Sequence, residues 1–278
     1  MSGRVFIDTS VGRLAVHTHG EGAPAVFWQS LFVDERSWWR VLPHLAADRL
    51  LVVITGPGHG ESGDPGNRYH LADCAHAATE VLDTLGIVEP VDWVGNAWGG
   101  HVGVRFATSY PVRVRSLVTI GSPIQPLGAR ERLQMIALLS VYRLIGPARF
   151  IVNAVADTML SPATRTSDPE AVALVRSSVA ESDRRLLRNA VVSISLYRED
   201  LAAMLPSIAV PTLMITGEQH VGWTPSQAAA AITAVPDGRV AVVPNAAYLV
   251  PLERPGEVAE LVRDFWASTA TECSGVQA

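Results

Sequence analysis

Val91-Asp92-Trp93-Val94-Gly95-Asn96-Ala97-Trp98-Gly99-Gly100 decides how the rest of the chain reads. Val91 to Val94 is a short run suited to a buried strand, and Gly95 to Gly100 is a turn rich in glycine. His101 to Tyr110 has helical spacing and stops at Pro111. A strand, a sharp bend and a helix therefore follow one another without a spacer. The same alternation extends outward. Val5 to Ile7 and Leu14 to His17 form an edge hairpin about Ser10-Val11-Gly12. Ala23 to Trp28 is apolar and ends in Gln29-Ser30, as a strand buried on both faces does where it opens into a site. Ser37 to Leu45 is expected to be helical. Leu50 to Ile54 is a strand that runs into the loop Thr55-Gly56-Pro57-Gly58-His59-Gly60, and Leu71 to Leu85 is a helix closed by Gly86. Ser116 to Ile120 is again a strand. Alternating strands and helices specify a parallel sheet with crossover helices.

That rhythm breaks after residue 125. Ile136 to Leu144, Phe150 to Met159, Ala171 to Val179 and Leu186 to Leu205 are all helical in pattern. Strands return at Thr212 to Thr216 and Val240 to Val243, with helices at Pro225 to Val235 and Pro255 to Trp266. The expected organisation is a core over residues 1–122, a helical cap over 123–206, a second part of the core over 207–270, and a flexible tail over 271–278. The fold class is α/β, a mostly parallel sheet flanked by helices with an inserted helical cap.

With 278 residues the chain is long enough for a substantial core. A formal charge of −5 argues against non-specific nucleic-acid binding, which needs a basic surface. The two cysteines, Cys74 and Cys273, are far apart and suggest a reducing compartment. The first residues lack a basic segment followed by an apolar run, and no stretch is long enough to span a bilayer, so a cytoplasmic protein is expected with no membrane partner. No phosphate-binding glycine motif, metal-ligand cluster or dinucleotide fingerprint is found, and no cofactor or metal is expected. The partner expected is a small molecule; the oligomeric state is left open.

The segment 91–100 resembles the nucleophile elbow of the α/β-hydrolase family, Gly-x-Ser-x-Gly after a strand and before a helix, with Ala97 where the serine stands. Thr55 to Ser62 is similar to a family loop, Asp-x-Pro-Gly-x-Gly-x-Ser, with Thr55 for the aspartate. Trp28-Gln29-Ser30-Leu31 falls where the family has His-Gly before an oxyanion-hole residue. Pro211 to His220 resembles the strand and loop that carry the triad acid, with His220 at the acid position. Pro244 to Pro255 resembles the loop of the catalytic histidine, with Tyr248 at its place. The resemblance spans roughly residues 5–125 and 207–268.

The resemblance implies a hydrolytic triad that these residues cannot supply. Alanine has neither lone pair nor acidic proton, and tyrosine, with an ordinary pKa near ~10, is a poor base near neutrality. The backbone N–H groups of Leu31 and Trp98 would survive as oxyanion donors, each worth roughly 3 kcal/mol. The candidate catalytic residues are Tyr248, His220 and Gln29, with Tyr248 and His220 expected to share a hydrogen bond. The candidate substrate-binding residues are Trp28, Leu31, Asn96, Ala97, Trp98, Tyr142, Ser193 and Tyr197. His59 and His101 read as structural. The expected function is a non-hydrolytic, cofactor-free enzyme acting on a mostly apolar carbonyl compound by cyclisation, elimination, isomerisation or rearrangement. One alternative is a ligand-binding protein without catalysis. Another is an esterase-like serine hydrolase inactivated at position 97.

Overall fold

The computed structural model describes residues 3–275, with side chains up to residue 269. Among the described residues eight strands form a single sheet: β1 (Gly3–Thr9), β2 (Gly12–His19), β3 (Ala23–Trp28), β4 (Arg49–Ile54), β5 (Val91–Asn96), β6 (Val114–Ile120), β7 (Thr212–Gly217) and β8 (Gly238–Val243). Their order across the sheet is β1-β2-β4-β3-β5-β6-β7-β8. The β1–β2 and β2–β4 pairs are antiparallel, and every other pair is parallel. Between β4 and β6 lie α1 (Leu71–Thr84) and α2 (Trp98–Ser109).

The central strands are apolar throughout because both faces are covered. In β3, Val26 and Trp28 belong to one core with α1 and α2, while Ala25 and Phe27 point into a second core on the opposite face. Period-two alternation thus delivers side chains to two layers at once. Trp28 stacks on Trp93 at 6.2 Å between ring centroids, and Trp93 stacks on Phe106 at 4.9 Å.

Between β6 and β7 the chain is helical: α3 (Ala129–Ile145), α4 (Arg149–Met159), α5 (Pro162–Ser167), α6 (Pro169–Glu181) and α7 (Arg184–Ala190). These helices have their own apolar core, shared with Val33, Leu249 and Leu252. The last elements are α8 (Pro225–Ile232), α9 (Val250–Glu253) and α10 (Pro255–Gly275).

Three elements differ from the sequence reading. Residues 37–45 form two short 3₁₀ turns, Glu35–Trp38 and Leu42–His44, instead of one helix. The pattern over 186–205 does not make one helix either. After α7 it widens into a π-helical turn, Val191–Leu196, leaves the helical path, and resumes as a 3₁₀ segment at Ala202–Ser207. Val191, Val192 and Ile194 are β-branched and crowd the preceding turn, which weakens a regular helix there. Finally, α10 continues to Gly275 where a tail from residue 271 was expected; residues 276–278 of that tail lie outside the described residues. No helix among the described residues is long and apolar enough to cross a membrane.

Candidate functional site

The bend between β5 and α2 places Ala97 at φ 47° and ψ −102°, a left-handed backbone that alanine rarely adopts. Its N–H donates to the Ile120 carbonyl at 2.7 Å, and its carbonyl accepts from the His101 N–H at 3.0 Å. The glycines make the bend possible by close approach. A Cβ on Gly95 would stand 2.1 Å from the Gly99 backbone, and one on Gly99 would stand 2.0 Å from the Trp28 carbonyl oxygen.

Ala97, Leu31 and Trp98 line one side of a cavity of about 450 Å³. His101, Gly121 and Pro123 continue the wall, α3 contributes Glu131, Gln134, Met135 and Leu138, and the π turn and its exit contribute Ile194, Ser195 and Arg198. Tyr248 and Gly222 close the remaining edge. Among the described residues no hydrogen bond uses the N–H of Leu31 or Trp98. Next to Leu31, Phe32 has φ 69° and donates its N–H to His59 Nε2 at 3.2 Å. His59 Nδ1 faces the Pro57 carbonyl at 3.2 Å, so the imidazole is neutral with its proton on Nδ1. Burial holds it down to about 4.

Tyr248 and His220 meet, but as tilted rings 3.8 Å apart between centroids, with 34° between their planes. The expected hydrogen bond between them is absent: the contact is ring on ring, and the Tyr248 hydroxyl instead accepts from the Gly222 N–H at 3.2 Å. His220 lies behind Tyr248 against Gly121, outside the cavity wall, and neither ring nitrogen has a hydrogen-bond partner among the described residues. Burial depresses its pKa to about 4. Burial also raises the Tyr248 pKa, against the Gly222 N–H bond that lowers it, so the phenol stays protonated at neutral pH.

The other candidates divide between cavity and scaffold. Gln29 is fully buried, and its Oε1 accepts from the Gly56 N–H at 3.1 Å. Trp28 is enclosed in the core, edge-on to Trp98 at 5.5 Å between centroids. Asn96 ties two loops together, donating from Nδ2 to the Ile120 carbonyl at 2.9 Å and the Tyr248 carbonyl at 3.1 Å. Ser193 Oγ accepts from the Tyr69 N–H at 3.2 Å, away from the cavity. Tyr197 is exposed, between the guanidiniums of Arg68 and Arg132. Tyr142 lines a separate small apolar void of about 30 Å³ that shares Phe32, Met135 and Leu138 with the main cavity. Only Leu31, Ala97, Trp98 and Tyr248 of these candidates meet in the main cavity.

Sequence reasoning missed Glu131 and Arg198 and took His101 as structural only. His101 Nε2 lies 2.8 Å from the Pro123 carbonyl, which leaves Nδ1 as an acceptor, and burial with the nearby Arg198 charge holds its pKa down to about 3. Arg198 stands out in sequence as the charge that follows the apolar run Val191 to Tyr197, but no motif marks it. A further missed residue is Glu253. Its buried carboxylate accepts from the Ala247 N–H and the Ser161 N–H, each at 2.8 Å, and so joins the loop of Tyr248 to the helical segment.

Bend, cavity and sheet order together are those of one family, and the model of the alpha/beta hydrolase family matches residues 15–261. The chain belongs to the α/β-hydrolase family. Across 277 residues it is 27% identical to a Bacillus subtilis protein named for 2-succinyl-6-hydroxy-2,4-cyclohexadiene-1-carboxylate synthase, covering 96% of this chain and 99% of that one. It is 34% identical to a 2-hydroxymuconate semialdehyde hydrolase of a Pseudomonas species, over 41% of this chain and 38% of the relative. Among solved structures, a thermophilic esterase of Thermogutta terrifontis superposes with a TM-score of 0.89 at 22% identity, covering 96% of this chain and 99% of the other. An α/β-hydrolase-family fold of this kind hosts several chemistries, so the reaction has to be argued from the site.

Proposed function

We propose that the chain is a non-hydrolytic, cofactor-free enzyme for a mostly apolar small molecule that bears a carbonyl group. The observation that carries this reading is Ala97, a methyl group held in strained nucleophile geometry at the wall of the cavity. Holding a non-glycine residue in such a backbone costs on the order of 1–3 kcal/mol, and strain of that kind concentrates at functional sites. With no hydroxyl there, no acyl-enzyme forms at this position.

The remaining groups suit oxyanion chemistry. The N–H groups of Leu31 and Trp98 are available to a carbonyl or enolate oxygen, where backbone donors stabilise developing charge. Tyr248 supplies a protonated phenol at the same wall, able to donate to an oxygen or hold the substrate in register. Met135, Leu138 and Ile194 offer apolar contact to the rest of the molecule. The full-length relative is named as a synthase and the partial one as a hydrolase, so similarity supports carbonyl-compound chemistry of either kind.

The test is covalent labelling with a fluorophosphonate and hydrolysis of 4-nitrophenyl butyrate, on the native chain and on Ala97→Ser. Neither protein should label stoichiometrically or exceed background hydrolysis by more than roughly tenfold, since the Tyr248 phenol is protonated and His220 lies outside the cavity wall. If Ala97→Ser alone reached kcat/KM on the order of 10⁴ M⁻¹s⁻¹, the chain would be a serine hydrolase silenced at position 97. A second reading, a ligand-binding protein without turnover, is favoured by one observation: His220 lies outside the cavity wall. Incubation of the native chain with a panel of unsaturated oxo compounds, followed by mass spectrometry, separates the two. Product formation supports the enzyme, and binding with no product across the panel supports the carrier.

A further inference from the structure

Tyr197-Arg198-Glu199 leaves the π turn with its outer two residues already engaged. The Tyr197 ring lies between Arg68 at 4.5 Å and Arg132 at 5.1 Å, measured from guanidinium carbon to ring centroid. The Glu199 carboxylate pairs with Arg105 on α2. Arg198, between them, lines the cavity. Among the described residues its guanidinium has no carboxylate within ion-pair distance, and its buried Nε has no hydrogen-bond partner.

A half-buried guanidinium without a partner is unusual, because taking the charge out of water is unfavourable unless an anion or a set of acceptors compensates it. Glu131 is the one carboxylate on the cavity wall among the described residues, and its charge acts on Arg198 from a distance. It does not close the pair. It is exposed, and its Oε2 accepts from the Gly128 N–H at 2.9 Å where α3 begins. Burial accordingly pulls the Arg198 pKa below the usual arginine value. On the same wall, His101 is neutral and competes for no anion.

We propose that Arg198 is the anion-binding end of the cavity and that the small molecule held there carries a carboxylate. The planar guanidinium fork matches two carboxylate oxygens, which gives orientation as well as attraction. Pinning Tyr197 and Glu199 fixes the backbone on both sides, so the fork is positioned before the ligand arrives. The carboxylate would sit at Arg198 while the carbonyl reaches the Leu31 and Trp98 N–H groups, and the apolar body lies along Met135 and Leu138.

This assignment rests on the reading of the cavity as a small-molecule site. Its test is calorimetric titration with 4-phenylbutanoate and with 4-phenylbutanamide, on the native chain, Arg198→Met and Arg198→Lys. The acid should bind the native chain at least tenfold more tightly than the amide. Arg198→Met should bring the two within about twofold, and Arg198→Lys should keep part of the preference. Equal binding of acid and amide to the native chain, or a preference that survives Arg198→Met, overturns the anion end and leaves the cavity reading intact. Failure of both probes to bind at millimolar concentration overturns the two together. If Arg198→Met does not fold, the native chain and Arg198→Lys decide the question by the same criterion.

Discussion

Ala97 bears the same backbone constraint that a nucleophile would in this bend, with φ 47° and ψ −102°. Alanine gains nothing from that conformation, and glycine would adopt it freely. Ala97→Gly should therefore stabilise the chain by about 1 kcal/mol in urea unfolding, the relief of strain exceeding the added flexibility of glycine in the unfolded chain. A loss of stability of the same size would show that the bend is relaxed with alanine. At this scale the sequence was informative where a motif frames the residue. Leu31, Ala97, Trp98 and Tyr248 were all named from their motif positions, and all line the cavity. It was uninformative where direction decides. Gln29 follows Trp28 at the end of β3, and nothing in the sequence says that its amide turns to the Gly56 N–H and away from the cavity. Arg198 was invisible because its significance comes from what surrounds it in space.

The bend, as an element, depends on backbones in contact. Gly99 has the Trp28 carbonyl oxygen 2.0 Å from where a Cβ would lie, and the obstacle is backbone of a central strand that cannot give way. Gly99→Ala should cost roughly 3 kcal/mol or more, read as a lowered midpoint in thermal or urea unfolding, whereas Gly86→Ala meets no atom within 4 Å and tests only its own φ of 71°. Strands and the helices beside them were legible because their apolar periods are short and regular. The segment after α7 was not. Its composition fits a helix, and the widening to a π turn follows from local crowding and from the tertiary anchors on Tyr197 and Glu199. Such turns are rare and occur often at functional sites; here the turn and its exit bring Ile194, Ser195 and Arg198 to the cavity.

Across the whole molecule, three buried histidines link stability to pH. His59 and His220 titrate at about 4 and His101 at about 3 when folded, all below an unfolded value of 6.5. Above pH 6.5 they are neutral in both states and stability is complete. As pH falls below that point the unfolded chain takes up protons that the folded chain refuses, so stability declines until the folded values are reached. At 1.36 kcal/mol per unit, His59 and His220 each contribute about 3 kcal/mol over that window and His101 about 5. Urea unfolding should show a marked loss between pH 7.5 and pH 4.5, with a shallower slope in His220→Gln; a flat profile would mean that these rings accept protons inside the fold. The mostly parallel sheet and the helical segment were readable from the alternation of periods, whereas the order of the strands was not. Nor was the anchor between sheet and helical segment, since no motif in the loop Pro244 to Pro255 marks Glu253 as buried. Its two oxygens moor Ser161 to Ala247, beside the strap that carries Tyr248. One side chain therefore carries both restraints, so its loss would free the Tyr248 loop and the helical segment together.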